Sequence, residues 1–394
     1  MAKQSKQRGG SAKPAAVLTV RNFAHLRDVR LELGDLTVLV GAQGAGKSLA
    51  LQWLKAAMDG KQLVDALRAA GQSTEKPEVL VDFIFGNGMA PAWREGESEV
   101  TLSGRRVTPR SLARVGNGTE KLFFVPAHRA LLISDGWATP FQRLRSDTPV
   151  VARLFSQNLY DRFSGKDAGT LFPIEKRLKK ELRGQIDAAV FHGGKVGIEE
   201  DAEHTRRLRL VHGDMHLPFM TWTAGQREFT PLLLGLYYLL PATKLRKRED
   251  TDWVVLEEPE MGLHPQAITA VMLMVLDLLW RGYRVVISTH SPHVLTMVWM
   301  MRQLQAHRAS WERVCEAFGV QDSRQMRLVA EAALEKDYRV HLLAFDAAGK
   351  VGARDITALD PSSDDPDISG WGGLTEYSSR FGDAVRAAVN ASEP

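Results

Sequence analysis

The chain reads as an α/β protein with a mixed, largely parallel core sheet and an inserted helical subdomain, and three observations lead there. Apolar runs without polar alternation at 36–40, 253–256 and 284–288 mark strands buried on both faces of a sheet. A helical pattern over 266–280 joins the last two runs, which makes a βαβ unit and therefore parallel pairing. The first run passes through a glycine-rich turn, GAQGAGKS at 41–48, directly into another helical pattern.

Along the chain, residues 1–15 form a basic arm without the apolar stretch of a secretory signal, and read as solvated. Residues 16–40 hold two or three strands, and 79–85, 100–102 and 121–125 are further strands among glycine-rich turns such as 86–88. From 131 to 186 the pattern turns helical, with VARLFSQNLYDRF and IEKRLKKELRGQI carrying apolar residues three and four apart. Strands at 188–198 and 207–217 follow, then TWTAGQREFTPLLLGLYYLL, a turn feeding a buried helix. After the βαβ unit come a helical stretch over 297–334 and a hairpin-like pair, YRVHLLAFD and KVGARDITALD. The expected division is an arm (1–15), a first lobe half (16–130), the insert (131–186), a second lobe half (187–345) and a C-terminal segment (346–394).

Composition sets the outer limits. A chain of 394 residues, 44% apolar, can bury an extensive core. Its single cysteine, Cys315, excludes an internal disulfide framework and fits a reducing compartment, hence the cytoplasm. The longest apolar run, 267–280, is too short to span a bilayer and carries Asp277, so no membrane segment is expected. A balance of 51 basic to 47 acidic residues is too even to announce a nucleic-acid binder. The local basic clusters at 175–183, 206–209 and 244–248 read first as solvated faces, with phosphate contact as the alternative.

The chemistry concentrates in four short segments. GAQGAGKS matches G-x-x-x-x-G-K-S between a buried strand and a helix, where backbone amides and the helix N-terminus can surround phosphate oxygens. Gly41, Ala42, Gln43, Gly44, Ala45, Gly46, Lys47, Ser48 and Leu49 form the expected ATP contact. Lys47 supplies a point charge at the β- and γ-phosphates, and the Ser48 hydroxyl a ligand for Mg²⁺. Glu257 and Glu258 follow four apolar strand residues, at the sheet edge where parallel sheets bind ligands. Glu257 is expected to support Mg²⁺ and Glu258 to polarise the attacking water. His290 stands at another strand end and can sense a γ-phosphate, although a lone histidine there also suits a packed core. Thr223, Ala224, Gly225 and Gln226 open a helix with small residues that leave its amides free to meet an anion.

In this order, GAQGAGKS, TAGQRE, VVLEEPEMGLHP and STHSP resemble the ABC-class ATPases of the SMC, RecF and OLD-like branch, over roughly residues 17–297. The resemblance implies that 41–48 is Walker A, that Glu257 and Glu258 fill the Walker B metal and base positions, and that 260–265 is the D-loop. It makes 223–226 the signature and His290 the switch histidine, and it puts a Q-loop region at 123–132 with Arg129 as its polar contributor. Gln43 replaces the common Asn, Thr223 and Ala224 replace Ser and Gly, Glu257 replaces Asp, and no glutamine stands near Ala127. In such proteins two ATPs lie between two subunits, so a homodimer or higher homo-oligomer is implied. Only 175 residues separate Ser48 from Thr223, without sustained heptads, so long coiled-coil arms are not expected. OLD-type nucleases carry a TOPRIM domain, but the comparable acids Asp364, Asp365 and Asp367 lie in a Pro- and Ser-rich loop that reads as a surface turn. The resemblance then points to a stand-alone ATPase like the sensor subunits of bacterial two-gene anti-phage systems, with a separate effector protein. The alternative is a RecF-like repair ATPase acting directly on nucleic acid. Trp371, Tyr377 and Phe381 near the C-terminus read as packing residues.

Overall fold

The computed structural model describes residues 16–163, 169–174, 177–200, 205–241 and 247–392. The basic arm 1–15 and parts of two basic clusters, 175–176 and 244–246, lie outside them. The strands are β1 (Ala16–Phe23), β2 (Leu26–Leu33), β3 (Leu36–Gly41), β4 (Glu99–Leu102), β5 (Arg105–Val107), β6 (Leu122–Val125), β7 (Ile133–Ser134) and β8 (Trp137–Ala138). They continue with β9 (Gly169–Phe172), β10 (Lys195–Glu200), β11 (Arg206–His212), β12 (Met215–Pro218), β13 (Trp253–Glu257), β14 (Arg284–Ser288), β15 (Tyr338–Phe345) and β16 (Val351–Asp355). The helices are α1 (Lys47–Ala69), α2 (Pro77–Phe85), α3 (Val150–Phe163), α4 (Lys180–Ile186), α5 (Ala224–Leu239), α6 (Pro265–Arg281), α7 (Pro292–Ala306), α8 (Trp311–Ala317), α9 (Arg324–Ala333), α10 (Pro366–Ser369) and α11 (Glu376–Ser392).

Ten strands form one sheet in the order β5-β4-β1-β2-β16-β15-β3-β14-β13-β6. Its inner part, β15-β3-β14-β13-β6, is parallel throughout, and the β1-β2 and β4-β5 hairpins extend it antiparallel, so the sheet is mixed with a parallel core as expected. Every residue of β3 and β13 is buried, the signature of strands covered on both faces. Alternation along them feeds two cores. Val38, Val40, Val254 and Leu256 face the core beneath α5 and α6, and Leu39 and Val255 the one beneath α1. In α6 the buried Asp277 is paired with Lys179 and with Arg281, which explains a carboxylate inside an apolar helix. Among the described residues no helix is long and apolar enough to cross a membrane.

Four expectations change. Residues 79–85 form the helix α2 and not a strand. Pro77 opens it, Gly86 at φ 112° closes it, and Phe85 joins an aromatic cluster with Phe23 and Trp53. Its β-branched run finds helix α1 to pack on and no strand to pair with, so packing overrides propensity. The stretch 131–186 holds α3 and α4 but also β9, which pairs with β10 and starts a separate four-stranded antiparallel sheet, β12-β11-β10-β9, that runs on to Pro218. Within 188–198 a π-helical turn, Asp187–Phe191, precedes β10. Finally, β16 lies inside the main sheet between β15 and β2, so the expected boundary at 345 divides a hairpin of the core.

The C-terminal acids are structural. Asp365 caps α10, and Asp365 and Asp367 both bind Arg354. Trp371 packs into the core and donates its indole N–H to Leu359 O, whereas Phe381 is 68% exposed, against expectation, and the Tyr377 side chain lies outside the description.

Candidate functional site

The three central strands β3, β14 and β13 are sheet neighbours running in one direction, so their carboxyl ends meet at one edge. From β3 the chain turns through 41–46 into α1. Gly46 is the residue before the helix, in the left-handed conformation at φ 80°, and no side chain caps it. The first-turn amides of α1 are thus left to solvent or to an anion. Ala42, Gln43, Gly44 and Ser48 are exposed, Leu49 is half-buried, and Gly41 and Ala45 are buried. Buried Lys47 curls back over the turn, donating from Nζ to Gly41 O at 2.9 Å and Ala42 O at 3.1 Å. Burial lowers its pKa, opposed by the Glu258 and Glu260 carboxylates nearby.

At the end of β13, Glu257 is 4% exposed. Its Oε2 accepts the Ala127 N–H at 3.4 Å, while Oε1 meets no donor in hydrogen-bond geometry. Burial pushes its pKa up to about 7; the Ser48 hydroxyl, the Ala127 amide and Arg129 oppose the shift, and Glu258 reinforces it. A buried carboxylate with a bare oxygen beside a serine hydroxyl is a hard oxygen donor pair, which fits a small divalent cation such as Mg²⁺. Glu258 has φ 41°, rare for a residue with a side chain, and its N–H donates to Ser288 O at 2.9 Å. Its carboxylate, a third exposed, stands 3.6 Å from His290 Nε2. Glu260 braces the end of β14, its Oε1 accepting from Thr289 Oγ1 at 2.6 Å and His290 N at 2.8 Å.

The raised pKa of Glu257 has a consequence for stability without nucleotide or divalent ion. Between about pH 4.5 and 7 the unfolded chain ionises this carboxyl while the folded chain keeps it protonated. The folded state then holds more protons, so stability falls as pH rises, by at most about 3 kcal/mol from this group. Glu257→Gln is expected to remove that slope. Denaturant unfolding of both proteins at pH 5 and pH 8 checks it, and an identical slope in the variant would refute the assignment.

Thr223 caps α5, its Oγ1 accepting the Gln226 N–H at 3.3 Å while Gln226 Oε1 accepts the Thr223 N–H at 3.2 Å. A side chain at Gly225 would put Cβ 2.8 Å from Gly262 O, so only glycine lets the helix start lie on the 260–265 loop. A cavity of about 370 Å³ opens there, lined by Thr223, Ala224, Gly225, Gln226, Gly262 and His264 among others. No residue of 41–49 lines it. The structure therefore brings the loop, both acids and His290 to one sheet edge, and none of them lines the cavity at 223–226.

Sequence reasoning missed several contributors. His25 sits against Gly46 with its Nε2 buried and without a partner, and its ring stacks on Phe345 at 5.9 Å. Glu228, on α5, accepts the Ala130 N–H at 3.4 Å. Only the chain's return to the same place reveals these residues.

The stretch that holds the capped glycine turn, both acids and His290 is similar to known proteins. Residues 173–296 match the family model described as "AAA domain, putative AbiEii toxin, Type IV TA system". The Old nuclease of Escherichia phage P2 is 26% identical over 144 residues, 36% of this chain. The match spans 23% of that nuclease's length. Among solved structures, an SMC head bound to the C-winged helix domain of ScpA aligns over 86% of this chain and 96% of its own, with 12% identity and a TM-score of 0.38. The SMC head domain from Thermotoga maritima aligns over 87% and 99%, with 13% identity and a TM-score of 0.36.

Proposed function

We propose that the chain binds ATP between two copies of itself, hydrolyses it, and passes the closing and opening of the pair to a partner. The observation that carries this reading is that the cavity at 223–226 is lined by none of the loop residues 41–49. In a two-fold pair each loop meets the other copy's signature. The amides of 42–48 and Lys47 take the phosphates, and the Ala224 and Gly225 amides at the start of α5, which the Thr223 cap does not use, take the γ-phosphate from the opposite side. Glu258 orients and polarises the attacking water, and His290, 3.6 Å away, responds to the γ-phosphate. Ser48 and Glu257 would hold Mg²⁺, which would supply charge neutralisation to the phosphates.

Light scattering tests the pairing. ATP with Mg²⁺ is expected to double the mass of Glu258→Gln and to leave Lys47→Ala unchanged; a mass indifferent to ATP in both would remove the pairing from the reading.

As partner we favour a separate effector protein, with the chain as sensor or scaffold in a bacterial anti-phage defence system. The apolar residues Phe381 and Val385, four apart on α11 and both exposed, support a protein contact. Buried Cys315, with its thiol pKa pushed up to about 11, is consistent with a reducing cytoplasm. The second reading, direct action on nucleic acid, draws on a cavity of about 570 Å³ lined by Arg207, Arg209 and Arg227. Strong stimulation of ATP turnover by DNA would select it, and a co-purifying effector the first.

A further inference from the structure

We infer that Arg129 is a positioning residue that ties the proposed base Glu258 to the signature helix of the same chain. Its side chain is fully buried in the turn Arg129–Leu132 that follows β6. A guanidinium so buried commonly finds a carboxylate in bidentate contact. Here the nearest acid oxygen, Glu228 Oε2, is 3.9 Å away, and the donors go to main-chain carbonyls instead. Nη1 reaches Pro126 O at 3.0 Å and Glu257 O at 2.9 Å, Nη2 reaches Glu258 O at 3.4 Å, and Nε reaches Glu228 O at 3.3 Å.

These contacts bridge three segments that are remote in sequence. Glu258 sits in the left-handed conformation, held at its N–H by Ser288 O and at its carbonyl by Arg129. Glu228 lies one turn into α5, just past the signature residues 223–226. When the start of α5 seats on an anion, the Glu228 carbonyl moves with the helix. The planar, rigid guanidinium then carries that displacement to the carbonyls of Glu257 and Glu258. Alignment of the base thereby depends on engagement of the chain's own signature. A lysine has neither the fork nor the reach to hold three segments at once.

The inference rests on the proposed ATPase function, and the experiment separates the two. Nucleotide affinity, ATP-driven pairing and steady-state kinetics are measured for wild type, Arg129→Lys and Glu228→Ala. Arg129→Lys is expected to keep ATP affinity within about threefold and to pair with ATP, while kcat falls on the order of 100-fold. Glu228→Ala keeps the arginine and its carbonyl contact but removes the carboxylate that accepts the Ala130 N–H and draws the guanidinium to α5, so it is expected to lower kcat about tenfold at unchanged affinity, and it decides the matter if the lysine variant fails to fold. Wild-type kcat in either folded variant overturns the role of Arg129 while leaving the ATPase reading intact, as does loss of affinity in step with kcat. A wild type that does not hydrolyse ATP overturns both.

Discussion

Glu258→Gln is expected to bind ATP with near wild-type affinity and to turn it over 10² to 10⁴ times more slowly, the range that a positioned general base contributes. The geometry sets that size. The Glu258 carboxylate is solvent-accessible enough to meet water, stands 3.6 Å from His290, and is presented by an unusual backbone conformation anchored on β14. Glutamine keeps the shape and the contact but cannot take a proton. Glu257 differs in its surroundings: it is buried, burial pushes its pKa up to about 7, and its Oε1 meets no donor. Turnover of less than tenfold below wild type in Glu258→Gln would move the base elsewhere.

Lys55→Met is expected to destabilise the folded protein by about 3–5 kcal/mol, the cost of leaving a buried charge without its partner. Lys55 is 1% exposed, and its ammonium donates to Asp59 Oδ2 at 2.8 Å, Glu120 Oε1 at 3.0 Å, Gln62 Oε1 at 3.0 Å and Leu122 O at 2.7 Å. Burial opposes that charge, and Glu120 and Asp59 more than restore it, so the ammonium titrates above its ordinary range. Asp59, at a kink in α1, accepts the amides of Lys121 at 2.9 Å and Leu122 at 3.0 Å. The cluster therefore fastens the helix after the phosphate loop to the start of β6, beside β13. Urea unfolding measures the change, and a loss below about 1 kcal/mol would mean that the cluster adds little.

What could be read from the sequence was what neighbouring residues encode. The turn 41–48 between a buried run and a helix, the acids after 253–256 and the histidine after 284–288 all stand where their local patterns put them, because a strand end fixes the position of the next few residues. What could not be read depends on distant pairing. Arg129 meets Glu257 across 128 positions and Lys55 meets Glu120 across 65, and no periodicity announces either. The run PEVLVDFIF has strand composition, yet it is a helix because α1 and the Trp53 aromatic cluster offer the burial it needs. β16 was legible as half of a hairpin, but its place beside β2, more than 300 residues earlier, follows from closure of the sheet. At 223–226 the small residues read as leaving the helix amides free, whereas Thr223 and Gln226 form a capping box that takes one of them, and the close approach of Gly225 to Gly262 shows why the glycine is needed.

A mixing experiment tests the shared site most directly. Lys47→Ala disables the loop of one chain and Gly225→Asp the signature of another, so each variant alone is expected to be inactive. Equal mixing makes half the pairs mixed, and each mixed pair contains one site with an intact loop facing an intact signature. The account predicts recovery of about a quarter of wild-type ATP turnover. A mixture no more active than the two separate variants would contradict a site built from two copies.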